Sequence, residues 1–364
     1  MCSSDLNAHN TIGGVVLNVD EMPSRLAAYL AVVEPTWKNV KVNSYEVMTG
    51  GYSRLLARAD VAHDGGSTTL VLRGDPPKDR QLIETSRQQE YELLRVVADH
   101  GVRTPRPLHF DATGEHLGTP TIVMEFSSCT SFMPYFNGGG SLDGLHVRLA
   151  EAIASYQAIP IDRLPASMER PASWDAYMTK RIDAWRQASH RHVESLPIFH
   201  YVAEWLDAHR PPEVPLVLMH GDFQGANVMI SSDGHFEMID WELAGIGDPR
   251  EDMGYFKAVA QAMPPDLLDD QRAGEFCARF RELTGLNELQ VNPATIAYFL
   301  VLGVVGTVEQ LMQGGAKWAT GENHLFTSVF NMSSVVFGQS MWLSALEQLS
   351  EPMKQLAAAA KGAN

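Results

Sequence analysis

The stretch LMHGDFQGANVMISSDGHFEMIDWELAGIGDP, residues 218–249, constrains this chain more than any other. Val228–Ile230 reads as a short apolar strand, Ser231-Ser232-Asp233-Gly234 as a turn, and residues 235–239 as the returning strand. Closing that hairpin brings Asn227 and Asp240 side by side at its open end. Amide and carboxylate oxygens are hard ligands of the kind Mg²⁺ takes, with positions left for water and phosphate oxygens. Asp222, on the loop leading in, is then left near the metal position as a proton acceptor. A cation for phosphates and an acceptor for an attacking hydroxyl are what phosphoryl transfer to an alcohol requires.

The texture of the chain divides it in two. Residues 19–33 have helical spacing with Leu26, Leu30 and Val33 on one face, and residues 40–72 turn strand-like, punctuated by Gly50-Gly51 and Asp64-Gly65-Gly66. A helix follows in IETSRQQEYELLRVVADHG, with Tyr91, Leu94, Val97 and Ala98 as its apolar positions and Gly101 beyond its last turn. PRPLHFD and TPTIVMEF read as two more strands, and the remainder is predominantly helical. This order predicts an α+β fold, with a small sheet carrying one helix over residues 1–126 and a larger helical region over residues 127–364.

Composition excludes several alternatives. A formal net charge of −16 argues against binding nucleic acid through its phosphates and against an anionic membrane surface. The longest apolar run, residues 296–308, is shorter than the ~20 residues of a bilayer span and contains two glycines, so a buried helix is expected there. Three widely spaced cysteines fit a reducing compartment, and the N-terminus has no secretion-signal pattern, so a cytoplasmic location is expected.

HGDFQGAN resembles the HGDxxxxN catalytic loop, and IDWE the metal-binding segment, of the aminoglycoside phosphotransferase and choline kinase superfamily, relatives of protein kinases. RADVAHDGGSTTLVLRGDPP, RQQEYELLRVVADHGVRTPRPLHF, LGTPTIVMEF and WELAGIGDPREDMG are similar, in order, to the subgroup related to the kinase-like domain fused to some acyl-CoA dehydrogenases. The resemblance implies a bilobal protein-kinase-like fold with ATP, or GTP as an alternative, and Mg²⁺ held between the lobes. It implies that Asp222 is the catalytic base or hydroxyl-orienting group, that His220 braces the loop, and that Asn227 and Asp240 bind Mg²⁺. Gly50, Gly51 and Ser53 fall in the turn over the nucleotide phosphates. Met124, Glu125 and Phe126 form the hinge facing the adenine. Glu90 matches the glutamate that pairs with a phosphate-binding cation, and Arg73 stands where protein kinases have lysine, with a different reach and hydration. In GDPRED, Asp248 and Asp252 read as a helix N-cap and a first-turn acid, Asp252 bonding the catalytic-loop backbone.

The expected activity is transfer of the γ-phosphate to a hydroxyl of a small metabolite, with a hydroxyacyl-type acceptor suggested by the subgroup. The alternatives are an aminoglycoside or other antibiotic phosphotransferase and a catalytically silent nucleotide-binding module. Residues 141–191 interleave Asp143, Glu151, Asp162, Glu169, Asp175 and Asp183 with seven Lys or Arg residues, a balance that favours a less cationic acceptor over an aminoglycoside. Oligomeric state is left open.

Overall fold

A computed structural model describes residues 20–48, 55–75, 85–191, 198–262, 266–305, 339 and 343–359. The chain divides into two compact units, Met1–Ser128 and Cys129–Asn364.

In the first unit an antiparallel sheet has the order β1-β2-β3-β5-β4. Its strands are β1 (Lys41–Val47), β2 (Leu55–His63), β3 (Gly66–Gly74), β4 (Pro107–Asp111) and β5 (Thr121–Glu125). β2 and β3 form a hairpin in which His63 pairs with Gly66, so Asp64-Gly65 is the two-residue turn that the sequence suggested. Helix α1 (Met22–Val33) lays Met22, Leu26, Tyr29 and Leu30 into the core shared with Ala59, Val61 and Leu70. That spacing is one helical face, and burying each large side chain is worth about 1.5–3 kcal/mol.

Helix α2 (Arg87–Asp99) begins at Ser86, whose side chain accepts from Gln89 N–H at 3.2 Å. Its buried face is Arg87, Glu90, Leu93, Leu94 and Val97, with Tyr91 and Ala98 half-buried. The helix is therefore rotated from the expected apolar face. The ion pairs that Glu90 makes, described below, account for a carboxylate on the buried side.

The second unit is mainly helical. It contains α3 (Phe132–Asn137), α4 (Leu145–Gln157), α5 (Trp174–Arg191), α6 (Ile198–Ala208), α7 (Glu251–Ala262), α8 (Asp270–Thr284) and α9 (Pro293–Gly303), and a further helix covers residues 343–359. Two small sheets interrupt the helices: β7 (Val217–Met219) paired with β10 (Gly245–Gly247), and β6 (Thr130–Ser131), β8 (Val228–Ile230) and β9 (Phe236–Met238) in the order β6-β8-β9. The apolar run near residue 296 is a buried helix: α9 starts from an Asn292/Thr295 capping box and buries Ile296 and Tyr298 to Leu302. No helix among the described residues is long and apolar enough to cross a membrane.

Helix α7 is anchored along its length. At its entry Asp248 and Arg250 form a fully buried ion pair at 2.6 Å, and Trp174 Nε1 donates to Asp248 at 2.7 Å. Further along, Gly254 packs against α9 so closely that a Cβ would fall 2.4 Å from the Phe299 carbonyl carbon and 2.5 Å from Leu300 N. Helix propensity alone favours alanine over glycine by about 1 kcal/mol. Overpacking here outweighs it, so Gly254→Ala is expected to destabilise the protein by about 1–3 kcal/mol. Thermal unfolding of the variant checks this, and an unchanged or raised Tm would mean that the two helices separate readily.

Candidate functional site

The loop from His220 to Asn227 leaves β7 just where β10 returns, with Met219 paired to Gly245. Gly221 has φ 82°, and a Cβ at this position would lie 2.1 Å from the Leu243 carbonyl oxygen. Both the backbone conformation and the lack of space require glycine. Asp252, in the first turn of α7, accepts from His220 N–H at 2.8 Å through Oδ2 and from Gly221 N–H at 3.0 Å through Oδ1. The Tyr156 hydroxyl donates to Oδ2 at 2.8 Å. Burial nevertheless pushes the Asp252 carboxyl up to about 6, because removal from water outweighs the donors. The bond from Asp252 to the loop backbone is the one the sequence suggested. Asp248, read as a helix cap, accepts from Arg250 N–H at 2.9 Å at the entry to α7, a capping bond, and also neutralises the Arg250 guanidinium.

His220 is completely buried. Its Nε2 donates to the Ile239 carbonyl at 2.9 Å, and its Nδ1 accepts from Asp222 N–H at 3.4 Å. These two bonds fit a single neutral tautomer. The ring thus bridges the loop and Ile239, the residue that follows β9.

Asp222 is half-buried. Gln224 Nε2 lies 2.9 Å and 3.1 Å from its two carboxylate oxygens, and Asn227 Nδ2 donates to Oδ2 at 2.7 Å and to the Asp222 carbonyl at 3.0 Å. Burial raises the Asp222 carboxyl, hydrogen bonds from Gln224, Tyr255 and Asn227 pull it back, and the nearby charge of Asp240 raises it again.

The hairpin register differs by one residue from the simple expectation. Val228 pairs with Met238, and Ile239 N–H donates to the Asn227 carbonyl at 3.0 Å, so Asn227 faces Ile239. Asp240 follows at φ 68° and ψ 64°, a left-handed conformation that re-aims the chain into the 3₁₀ turn Trp241–Leu243. Aspartate tolerates this conformation better than most residues. Its carboxylate is still close enough to Asp222 to perturb it.

Two neighbouring carboxylates and an amide whose nitrogen is engaged by Asp222 leave a set of oxygen acceptors. That donor set fits Mg²⁺, whose sites commonly use one or two carboxylates and keep water or phosphate oxygens as the other ligands. Among the described residues no group of three or more His, Cys, Asp or Glu is gathered as a metal cluster.

In the first unit, Arg73 Nε lies 3.0 Å from Glu90 Oε1, and both side chains are buried. Arg87 also pairs with Glu90, and its Nε reaches Asp75 at 2.9 Å. Met124 is buried in β5 opposite Val71, and Glu125 N–H donates to the Arg106 carbonyl at 2.9 Å. Phe126 is 38% exposed beneath the Arg58 guanidinium, 4.8 Å from the ring centre. Gly50, Gly51 and Ser53 lie outside the described residues.

Residues 48–288 match the sequence profile of the phosphotransferase enzyme family (APH). The chain belongs to this family. Its curated relatives include acyl-CoA dehydrogenase family member 10 of Mus musculus, 26% identical over 195 residues, covering 51% of this chain and 18% of the mouse protein. Family member 11 of Rattus norvegicus is 24% identical over 197 residues, covering 52% of this chain and 25% of the rat protein. The chain therefore spans about a quarter or less of these relatives. Among solved structures, a Ralstonia eutropha protein assigned to the aminoglycoside phosphotransferases superposes with a TM-score of 0.70 at 18% identity, covering 89% of this chain and 98% of that one. A choline/ethanolamine kinase family protein from Mesorhizobium loti gives 0.58 at 17%, covering 93% and 98%. A thermostable mutant of the aminoglycoside phosphotransferase APH(4)-Ia, in a ternary complex with ADP and hygromycin B, gives 0.59 at 15%, covering 90% and 98%. These likenesses show the expected α+β, protein-kinase-like fold of the phosphotransferases.

Gln224, Tyr255, Tyr156 and Arg87 join the family motifs without having been singled out in the sequence. Gln224 lies inside HGDFQGAN, and Arg87 stands three residues before Glu90 on one helix face, so spacing offered a signal for both. Tyr156 offered none, since it meets Asp252 from 96 residues away.

The raised Asp252 pKa has a definite sign. An aspartate near 4 when unfolded and about 6 when folded gives a stability contribution that is fullest below the unfolded value and declines by about 3 kcal/mol as pH rises through 6. Asp252→Asn removes that dependence. Its destabilisation relative to wild type is therefore expected to shrink by about 3 kcal/mol between pH 4 and pH 7, read from denaturant unfolding at both pH values.

Proposed function

We propose that this phosphotransferase is a small-molecule kinase that moves the γ-phosphate of ATP to an alcohol in the presence of Mg²⁺. The observation that carries the proposal is the loop of residues 220–227, fixed to α7 by Asp252 and presenting Asp222 beside Asn227 and Asp240. Asp222 would accept the proton of the incoming hydroxyl and hold that oxygen in line. Its amide neighbours favour the ionised form that this task needs. Asn227 and Asp240 would hold Mg²⁺, and His220 would keep the loop in register with β9. When bound, Mg·ATP supplies the transferable phosphoryl group and the neutralisation of its oxygens.

In the first unit, Arg73 would meet nucleotide phosphate, with Glu90 fixing its guanidinium. Gly50, Gly51 and Ser53 would cover the phosphates, while Met124, Glu125 and Phe126 would meet the adenine. GTP would be the alternative donor, and comparing the two nucleotides in the same turnover assay distinguishes them. A kinase acting on soluble metabolites fits a cytoplasmic location.

The acceptor is proposed to be less cationic than an aminoglycoside. Several acids of residues 141–191 already have cationic partners: Glu151 with Arg279, Glu169 with Lys180, Asp175 with Arg210 and Asp183 with Arg186. They form a balanced surface rather than an unneutralised acidic patch for a polycation.

Coupled ADP release with Mg·ATP, across neutral, anionic and cationic alcohols, tests the reading. Asp222→Asn is nearly isosteric, and it is expected to retain Mg·ATP binding while kcat falls by about 10²–10⁴-fold. Undiminished turnover would remove Asp222 from the chemistry. Asp240→Ala is expected to weaken Mg²⁺-dependent nucleotide binding more than Asp222→Asn does, because it deletes a charged ligand. Equal affinities in a calorimetric titration would contradict that division of roles.

A further inference from the structure

A pocket of about 270 Å³ borders the candidate catalytic loop within the second unit. One side is formed by Gly225 and Ala226, which lie between Asp222 and Asn227 in the sequence. The rest is Ser131, with Phe132, Met133 and Pro134 of α3 and Phe256, Val259 and Ala260 of α7. No charged side chain lines it, and Ser131 contributes the one polar side chain. Lys257, within the lining segment of α7, is turned away and donates to the Leu268 carbonyl.

The connection to Asp222 runs along one helix face. Tyr255, which hydrogen-bonds Asp222, and Val259, which lines the pocket, are four residues apart and so lie one above the other on α7. An acceptor whose hydroxyl reaches Asp222 therefore has apolar surface close at hand and no carboxylate in the pocket wall to attract an ammonium group. At roughly 30 Å³ per water-sized group, the volume holds on the order of nine such groups. That is ample for a hydrocarbon segment, and apolar burial favours such an occupant over a polar one.

We infer that this pocket is the acceptor's apolar subsite: the preferred substrate is an uncharged-tailed alcohol whose hydrocarbon portion seats against Phe132, Phe256, Val259 and Ala260 while its hydroxyl meets Asp222. This rests on the phosphotransfer reading above, and deepens it by naming the chemistry of the acceptor.

The test uses the full chain and a series of linear alkan-1-ols from ethanol to octanol. Binding is followed by saturation-transfer NMR, and turnover by ADP release with Mg·ATP. Binding affinity and kcat/KM are expected to rise about three- to fourfold per methylene until the pocket is filled, the usual gain for burying one CH₂. Ala260→Leu occupies the pocket and should flatten both slopes. Because Ala260 is buried, Met133→Glu provides a second variant at a residue 40% exposed, and it should weaken octanol more than ethanol. Affinity and kcat/KM independent of chain length in wild type, or slopes unaltered in both variants, would overturn the subsite. A binding slope that both variants flatten, with no alcohol phosphorylated, would keep the pocket as an apolar site and overturn the phosphotransfer reading instead.

Discussion

A single buried carboxylate joins the candidate catalytic loop to helix α7. Asp252 holds the adjacent N–H groups of His220 and Gly221, and Tyr156 donates to it from α4. Without that acceptor the His220 amide would be a buried donor with no partner, costing about 1–3 kcal/mol, and the part-buried Gly221 amide would lose its bond as well. The tight turn that Gly221 makes beneath Leu243 would then be held only by the His220 ring and the β7–β10 pairing. Asp252 owes its own position to α7, whose entry is fixed by the Asp248–Arg250 pair and whose middle is locked to α9 at Gly254. Loop, helix entry and helix crossing are thus parts of one mechanical unit.

Much of this was legible in the sequence because it is local. Strand Val228–Ile230, the turn before His235 and the contact of Asp252 with the loop follow from spacing, turn chemistry and a family motif read over some thirty residues. The misreadings have physical causes. The apolar face of α2 was placed off by a rotation because apolar periodicity discounts a buried carboxylate, and Glu90 is buried between two arginines. The hairpin was read as bringing Asn227 and Asp240 side by side at its open end; the ladder ends with Asn227 facing Ile239, and a positive φ, which spacing does not reveal, sets the course of Asp240, the next residue. Pocket walls were beyond reach, since α3, the loop and α7 are brought together by folding and not by proximity in the chain.

Net charge proves a poor guide to the site. The formal charge of −16 belongs to the whole chain, and exposed charges are screened within about 8 Å at physiological salt. Around the loop the decisive charges are few: Asp222, Asp240 and the buried Asp252. Gln224 and Asn227 orient the first of these with neutral donors, which stabilises an ionised carboxylate without cancelling its charge.

Helix α7 carries Asp252 in its first turn, Tyr255 in its second and the pocket residues Val259 and Ala260 in its third. Tyr255 and Val259 are separated by about 6 Å along the axis. The helix rise itself fixes that spacing, and the close crossing at Gly254 seats α7 against α9. For a molecule seated by its hydrocarbon end, α7 then acts as a ruler: the position of a hydroxyl along the carbon chain, more than its intrinsic reactivity, decides whether it reaches Asp222. Such an enzyme would distinguish positional isomers of one alcohol, a regioselectivity set by the rise of a helix.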